Sequence, residues 1–310
     1  MSGLPSLEHV PALDVVRPVP GAWRRWTDAL LDLVFPPFCP ICRTRLADGR
    51  RDPLCGGCWT AVARIEPPWC RTCGTPVTFS CGGPEMAPAL PQSADDPLAL
   101  ALPQSADIPF RTAPGSADDP LPPALPACAD GPGPLCGACR RRVPGFDYAR
   151  AAARYDGVVR EALHAFKFRG QRALAVPLGA LLVEATRAGL PRGATLLVPV
   201  PLHPRRERER GFNQAALLAR RVGRAWGCAV REDVLVRTVA TRSQTELDAA
   251  ARRANVRDAF RARRPALVEG RHVVLVDDVL TTGATLSECA RCLRAAGAAS
   301  VGALTVARVV

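Results

Sequence analysis

The stretch VVLVDDVLTTGAT, residues 273–285, holds the densest set of groups that could do chemistry. Four apolar residues predict a buried strand, two carboxylates (Asp277 and Asp278) stand at its C-terminal end, and TTGAT turns into a helix. In an open α/β sheet, ligands bind outside the carboxyl ends of the strands. Gly283 lets the backbone approach an anion. The amides of Thr281, Thr282, Gly283, Ala284 and Thr285 would point at that anion from the positive end of the next helix, with the threonine hydroxyls as further donors. The paired acids would accept hydrogen bonds from two adjacent hydroxyls, so one site would take a ribose together with its 5-phosphate. The plain alternative is an ordinary strand–turn–helix with a capping Asp. The ordered run of strand, acid pair, Thr-Thr-Gly loop and helix argues against it.

The second chemical pattern is cysteine. Of thirteen cysteines, ten precede residue 140, and eight of those form four C-x-x-C pairs. Cys39/Cys42 and Cys55/Cys58 have zinc-ribbon spacing, two short knuckles offering four thiolates to a tetrahedral ion. Cys70/Cys73 and Cys136/Cys139 would form a second such site, with nested or interleaved pairing as the alternative. An iron–sulfur cluster or redox thiols are the rival readings, and four knuckle-like pairs fit two closed structural zinc sites better. Cys81 and Cys128 have no evident partner and could compete as ligands. Cys228, Cys289 and Cys292 read as helix or core residues, and His164, His203 and His272 as packing or surface residues rather than catalysts.

The positioning elements read as α/β from residue 146 onward. Strands are expected at 148–155, 196–200, 233–237, 272–277 and 300–309. Helices are expected at 158–168, 173–188, 213–226, 248–256 and 284–296. Short apolar strands alternating with helices imply a mostly parallel sheet with helices on both faces. Before this, residues 1–21 are Pro-rich and read as a flexible terminus, and 22–34 have helical spacing. Residues 82–134 are rich in Pro, Ala, Asp and Ser and repeat ALPQSADDP as ALPQSADIP, which reads as a disordered insertion. The expected division is therefore 1–21 flexible, 22–145 helix plus double zinc ribbon interrupted by the insertion, and 146–310 the α/β domain.

Lys and Arg total 41 against 29 Asp and Glu, a net charge of +12, which favours nucleic acid, phosphorylated substrates or anionic lipid. The N-terminus lacks the ordered parts of a secretory signal, and no run approaches the ~18 apolar residues of a membrane span. A cytoplasmic location is expected, where paired cysteines read as metal ligands rather than disulfides.

The 273–285 stretch resembles the binding motif for 5-phosphoribosyl-1-pyrophosphate (PRPP) of type I phosphoribosyltransferases. The chain from about 22 to 308, less the insertion, resembles the competence-associated ComF family, a double zinc ribbon joined to a phosphoribosyltransferase domain. The resemblance implies Asp277, Asp278 and Arg210 as catalytic residues. VPVPLHPRRERERGFNQAALLA (198–219) resembles the family's strand and pyrophosphate loop, with Arg205, Arg206, Arg208 and Arg210 as available guanidinium groups, and Gly211 and Asn213 beside them. Asn213 fits a helix cap equally well. ALHAFKFRG (162–170) supplies Lys167 and Arg169 as candidate phosphate contacts or as a basic helix end complementing its dipole. RTVATRSQTELDAAARRANVRDAF (237–260) resembles a flexible hood in which Gln244 and Arg252 reach the ligand; Asp248 stands where a Ser is expected. Implied further are Mg2+ with PRPP, two structural Zn2+ ions, release of pyrophosphate, and a link to DNA uptake, with single-stranded DNA and DNA-uptake proteins as partners. A non-catalytic PRPP sensor that handles single-stranded DNA is the alternative.

Overall fold

The computed structural model describes residues 38–46, 52–77, 133–187, 196–239 and 256–310. The helix expected at 22–34, nearly all of the insertion at 82–134, and the hood residues Gln244 and Arg252 lie outside the described residues.

Four cysteines form the first knuckle pair, with helix α1 at Gly56–Thr60 after Cys55; helix α2, Gly137–Arg141, follows Cys136 in the same way. The two ribbons repeat one turn. Cys39 receives Arg43 N–H on its carbonyl at 2.9 Å, and Cys70 receives Gly74 N–H at 2.8 Å. The residue closing each turn is left-handed, Arg43 at φ 62° and Gly74 at φ 71°.

The α/β domain then runs β1 (Tyr148–Arg154), α3 (Gly157–Phe168), a 3-10 turn, α4 (Ala175–Arg187), β2 (Leu196–Pro199), α5 (Pro204–Arg210), α6 (Gln214–Trp226), β3 (Leu235–Arg237), β4 (Phe260–Ala262), β5 (His272–Leu280), α7 (Ala284–Ala295) and β6 (Ser300–Arg308). The main sheet has order β1-β6-β5-β2 and is parallel throughout. β3 and β4 form a separate antiparallel pair.

Alternation along the strands splits the core in two. Leu197, Val274, Val276, Leu304 and Val306 join α3, α4 and α6 on one face. Leu196, Val198, Val273, Leu275, Val301 and Ala303 join α7 on the other. Both faces are covered, so β5 and β6 read as continuous apolar runs. The expected parallel sheet with helices on both faces is the observed one.

Two expectations need correction. The strand expected at 272–277 does not end at Asp277 but carries both acids inside it, continuing through Val279 and Leu280 because β6 pairs with it to Leu280↔Arg308. The charged run after β2 is a helix, α5, not a loop. His203 Nδ1 accepts from Arg205 N–H at 3.2 Å and Pro204 begins the first turn, so end caps hold a helix that buries no residue.

Candidate functional site

β2 and β5 differ in length, and that difference makes the site. β2 stops at Pro199, opposite Val276, with a last hydrogen bond from Val200 N–H to the Val276 carbonyl at 2.9 Å. β5 runs on past it, so Asp277 and Asp278 stand beside an edge that no strand covers, at the carboxyl end of the sheet.

Asp278 pairs with Lys167, from the last turn of α3, with Nζ 2.7 Å from Oδ1; their side chains are only 15% and 19% exposed. Asp277 Oδ1 accepts the Asp278 N–H at 2.8 Å. Burial first, and then repulsion from Asp278, push the Asp277 carboxyl up to about 7, against the pull of Lys167 and Arg237. Two carboxylates this close cannot both ionise freely.

α5 decides between the four arginines. Arg206 and Arg210 are one turn apart and half-buried; Arg205 and Arg208 are exposed. Arg205 pairs with Glu209 at 2.9 Å. Arg210 donates to Gln214 Oε1 at 3.1 Å, and its guanidinium lies 5.2 Å from the centre of the Phe168 ring. Burial lowers the pKa of Arg210, while Asp278 and Asp277 raise it and Arg206 opposes them. Arg237 of β3 is lowered by burial and then by Arg206, and it also feels Asp277. Lys167, Arg210 and Arg237 thus lie within electrostatic reach of the two carboxylates, and Arg206 within that of Arg210 and Arg237, a cationic excess suited to an anion.

Gly211 ends α5 in the left-handed region at φ 75°, and Arg172 Nη2 donates to its carbonyl at 2.5 Å while lying 4.8 Å from the Phe212 ring centre. Asn213 is a cap: Oδ1 accepts Ala215 N–H at 3.0 Å and Nδ2 donates to the Val200 carbonyl at 3.1 Å. Arg169 ends α3 through its backbone, and its side chain is exposed. Beyond β5, Thr281 is half-buried and Thr282 exposed; Gly283 is the left-handed N-cap of α7 at φ 74°. Ala284 N–H reaches Thr282 Oγ1 at 3.4 Å, and Thr285 lies in the first turn.

The structure therefore gathers Asp277, Asp278, Lys167, Arg210 and the 281–285 turn. Asn213 serves as a cap, and Arg169 is exposed at the end of α3. Sequence reasoning undervalued Arg206 and missed Arg172 and Gln214. Arg206 could have been found from its i,i+4 spacing to Arg210 once a helix was allowed there. Arg172 carries no local signal.

The cysteines form two tetrads, Cys39/Cys42/Cys55/Cys58 and Cys70/Cys73/Cys136/Cys139, with all sulfurs of each within 4.8 Å of one another. Sulfur separations of 3.7 Å (Cys39–Cys58), 3.4 Å (Cys42–Cys55) and 3.5 Å (Cys73–Cys136) approach the ~3.8 Å edge of a zinc tetrathiolate with 2.3 Å bonds. The two tetrads fit two structural zinc sites. Hydrogen bonding with Thr44 lowers Cys42 and hydrogen bonding with Cys73 lowers Cys70, whereas burial raises Cys58 and Cys139 and the hydrogen bond with Cys70 raises Cys73, so within each tetrad one thiol loses its proton readily and its neighbours hold theirs.

Residues 30–90 match the model of the double zinc ribbon domain, and residues 209–309 that of the phosphoribosyl transferase domain. The chain is 38% identical over 170 residues to the DNA utilization protein YhgH of Escherichia coli K12, covering 54% of this chain and 74% of that protein. It is 33% identical over 178 residues to Competence protein F of Haemophilus influenzae, covering 56% of this chain and 78% of the relative. It is 34% identical over 160 residues to Competence protein ComFC of Bacillus subtilis, covering 51% and 63%. No described helix is long and apolar enough to cross a membrane.

Proposed function

The chain belongs to the ComF family, a double zinc ribbon joined to a phosphoribosyltransferase domain, and on that premise we propose that it binds PRPP at Asp277–Thr285 and transfers its ribosyl group with release of pyrophosphate. The supporting observation is the set of cations Lys167, Arg210 and Arg237 in reach of the acid pair, with Arg206 beside the two arginines, at a strand end that leads into the start of α7. The division into a ribbon part, 22–145, and a transferase domain, 146–310, is part of the same proposal.

In this reading the 5-phosphate sits on the amides and hydroxyls of Thr281–Thr285, and Asp277 and Asp278 accept hydrogen bonds from the two ribose hydroxyls. An acceptor nucleophile forms its bond to C1 as the C1–O bond to pyrophosphate breaks, the electron pair leaving with the pyrophosphate. Arg210 and Arg206 stabilise the charge that develops there. Asp277 and Asp278 offer the hard oxygen donors that Mg2+ prefers, and such an ion would supply positive charge to the leaving group. Gln244 and Arg252 are assigned to the hood by family likeness, to exclude water during transfer. Catalysis is then positioning and electrostatics. A role in DNA utilization or competence is carried over from the relatives' names, and a cytoplasmic location belongs to the same proposal.

A second reading has the same names behind it: a PRPP sensor that handles single-stranded DNA without turnover. Calorimetric titration with PRPP and Mg2+, on the wild-type chain and on Asp277→Asn/Asp278→Asn, tests the site, and pyrophosphate release over candidate bases and single-stranded DNA tests turnover. Binding lost in the folded variant, with release in the wild type, is the expected result. Binding with no release over any acceptor selects the sensor. No binding by the folded, zinc-loaded wild type overturns both.

A further inference from the structure

The two cysteine tetrads differ in their surroundings. Four thiolates around one Zn2+ carry a net charge of −2. At the first tetrad, exposed Cys42 gives that charge access to water. At the second, Cys70, Cys73 and Cys139 are 0%, 5% and 6% exposed and belong to the α7-side core. A buried dianion needs nearby positive charge. The ribbon's own cations do not supply it, because Arg71, Arg140, Arg141 and Arg142 are exposed.

Two arginines of the sheet stand beside this tetrad instead. Arg150 of β1 donates through Nη1 to the Arg71 carbonyl at 3.1 Å and the Ala149 carbonyl at 2.8 Å, and its guanidinium lies 5.3 Å from the Trp69 ring centre. Arg308, at the end of β6, donates through Nη1 to the Cys73 carbonyl at 2.8 Å. Both are partly buried, and the Nε of each is enclosed with no hydrogen-bond partner. Neither has a carboxylate within ion-pair distance among the described residues, where ten other ion pairs form. Arg150 lies in the electrostatic reach of Cys70 and Cys73, and Arg308 in that of Cys73. These are two half-buried cations without a carboxylate partner among the described residues, standing beside a candidate metal thiolate centre.

We propose that Arg150 and Arg308 are the counter-charges of a zinc tetrathiolate at Cys70, Cys73, Cys136 and Cys139, so that the affinity of this centre is set partly by the transferase sheet rather than by the ribbon alone. Charged groups beside metal ligands typically tune affinity by about 10- to 100-fold. The proposal does not depend on PRPP binding or turnover. It treats the two centres as unequal: the first is solvated, the second is neutralised by protein.

The test is competition between the full zinc-loaded chain and a metallochromic chelator, following the stepwise release of zinc. Arg150→Gln and Arg308→Gln should each weaken one of the two zinc ions by about tenfold or more and leave the other unchanged. Arg140→Gln, which removes an exposed charge of the same ribbon, should shift neither. Arg150→Lys and Arg308→Lys should hold zinc close to the wild-type level, since they keep the charge and lose the forked donor geometry. Unchanged affinity in the folded Gln variants overturns the proposal. Lys variants as weak as Gln also overturn it, assigning the arginines to backbone packing. Should the Gln variants fail to fold, the Lys pair decides alone: zinc retention supports the counter-charge role, and loss of one zinc overturns it.

Discussion

Asp277 carries a charge that the fold disfavours and the proposed ligand requires. Its folded pKa of about 7 lies above the ordinary 3.8, so the folded chain holds a proton there that the unfolded chain releases. The sign follows: this group's contribution to stability is greatest in acid and falls as pH rises from about 4 through 7. Asp277→Asn should therefore raise the melting temperature of the ligand-free chain at pH 8, on the order of 2–4 °C for each kcal/mol gained. Calorimetric scans at pH 5 and pH 8 check this, and the gain should shrink at pH 5. In the proposed reading the ribose hydroxyls need the carboxylate, so wild-type affinity for PRPP should drop roughly tenfold per unit as pH falls below 7, and the residual binding of the single variant Asp277→Asn should lack that slope. The arginines separate in the same way. Arg206→Ala and Arg210→Ala should each weaken pyrophosphate binding by about 10-fold or more, the value of a charge-assisted hydrogen bond. Arg205→Ala and Arg208→Ala should stay within about twofold, because one is paired with Glu209 and both are exposed. Equal losses across all four would show that diffuse charge rather than geometry binds the anion. The sequence displays four arginines in six residues; only helix phase chooses two of them.

At the scale of elements, the site exists because β5 outruns β2. Apolar patterning announces β5 as a strand, but the pattern breaks at the acids, so the strand reads as ending there. Pairing with β6 carries it on to Leu280, a contact between residues 28 apart in the chain that local pattern does not register. α5 was hidden for a different reason. A run of Arg and Glu has no apolar periodicity, and its helix rests on caps at His203 and Gly211 rather than on burial. The turn after β5 tolerates little change. A Cβ on Gly283 would sit 3.4 Å from Leu280 Cδ1 and from the Phe146 ring, in a left-handed backbone. Gly283→Ala should cost about 1–3 kcal/mol, read by chemical denaturation, and should loosen the phosphate turn. Wild-type stability with unchanged PRPP affinity would mean that the turn does not need its left-handed geometry.

Across the whole molecule, the ribbons also close the sheet. Ile65 N–H donates to the Ala152 carbonyl at 3.0 Å, Arg154 N–H to the Ala63 carbonyl at 2.8 Å, and Ala149 N–H to the Thr72 carbonyl at 2.6 Å. These bonds occupy the outer edge of β1, which would otherwise be free to pair with another chain. Stripping the metals should therefore lower the melting temperature of the entire chain and raise light scattering, not merely unfold a small appendage. An unchanged transferase transition in the metal-free chain would show that the edge is protected without zinc. For the DNA reading, the slope of log affinity for single-stranded DNA against log salt counts the phosphates engaged, at about 0.7 per contact. The fold class, the cysteine pairs and the turn that follows the acid pair were legible in the sequence, because strand periodicity, C-x-x-C knuckles and the Asp-Asp-to-Thr-Thr-Gly run are local patterns. The tertiary structure decided the rest. It joined Cys73 to Cys136 across 63 residues, brought Arg210 within reach of the acids with Arg206 beside it, gave Asn213 to a helix cap, and set Arg150 and Arg308 beside the second tetrad. Each of these depends on strand order or helix phase, which place residues together that the chain keeps far apart.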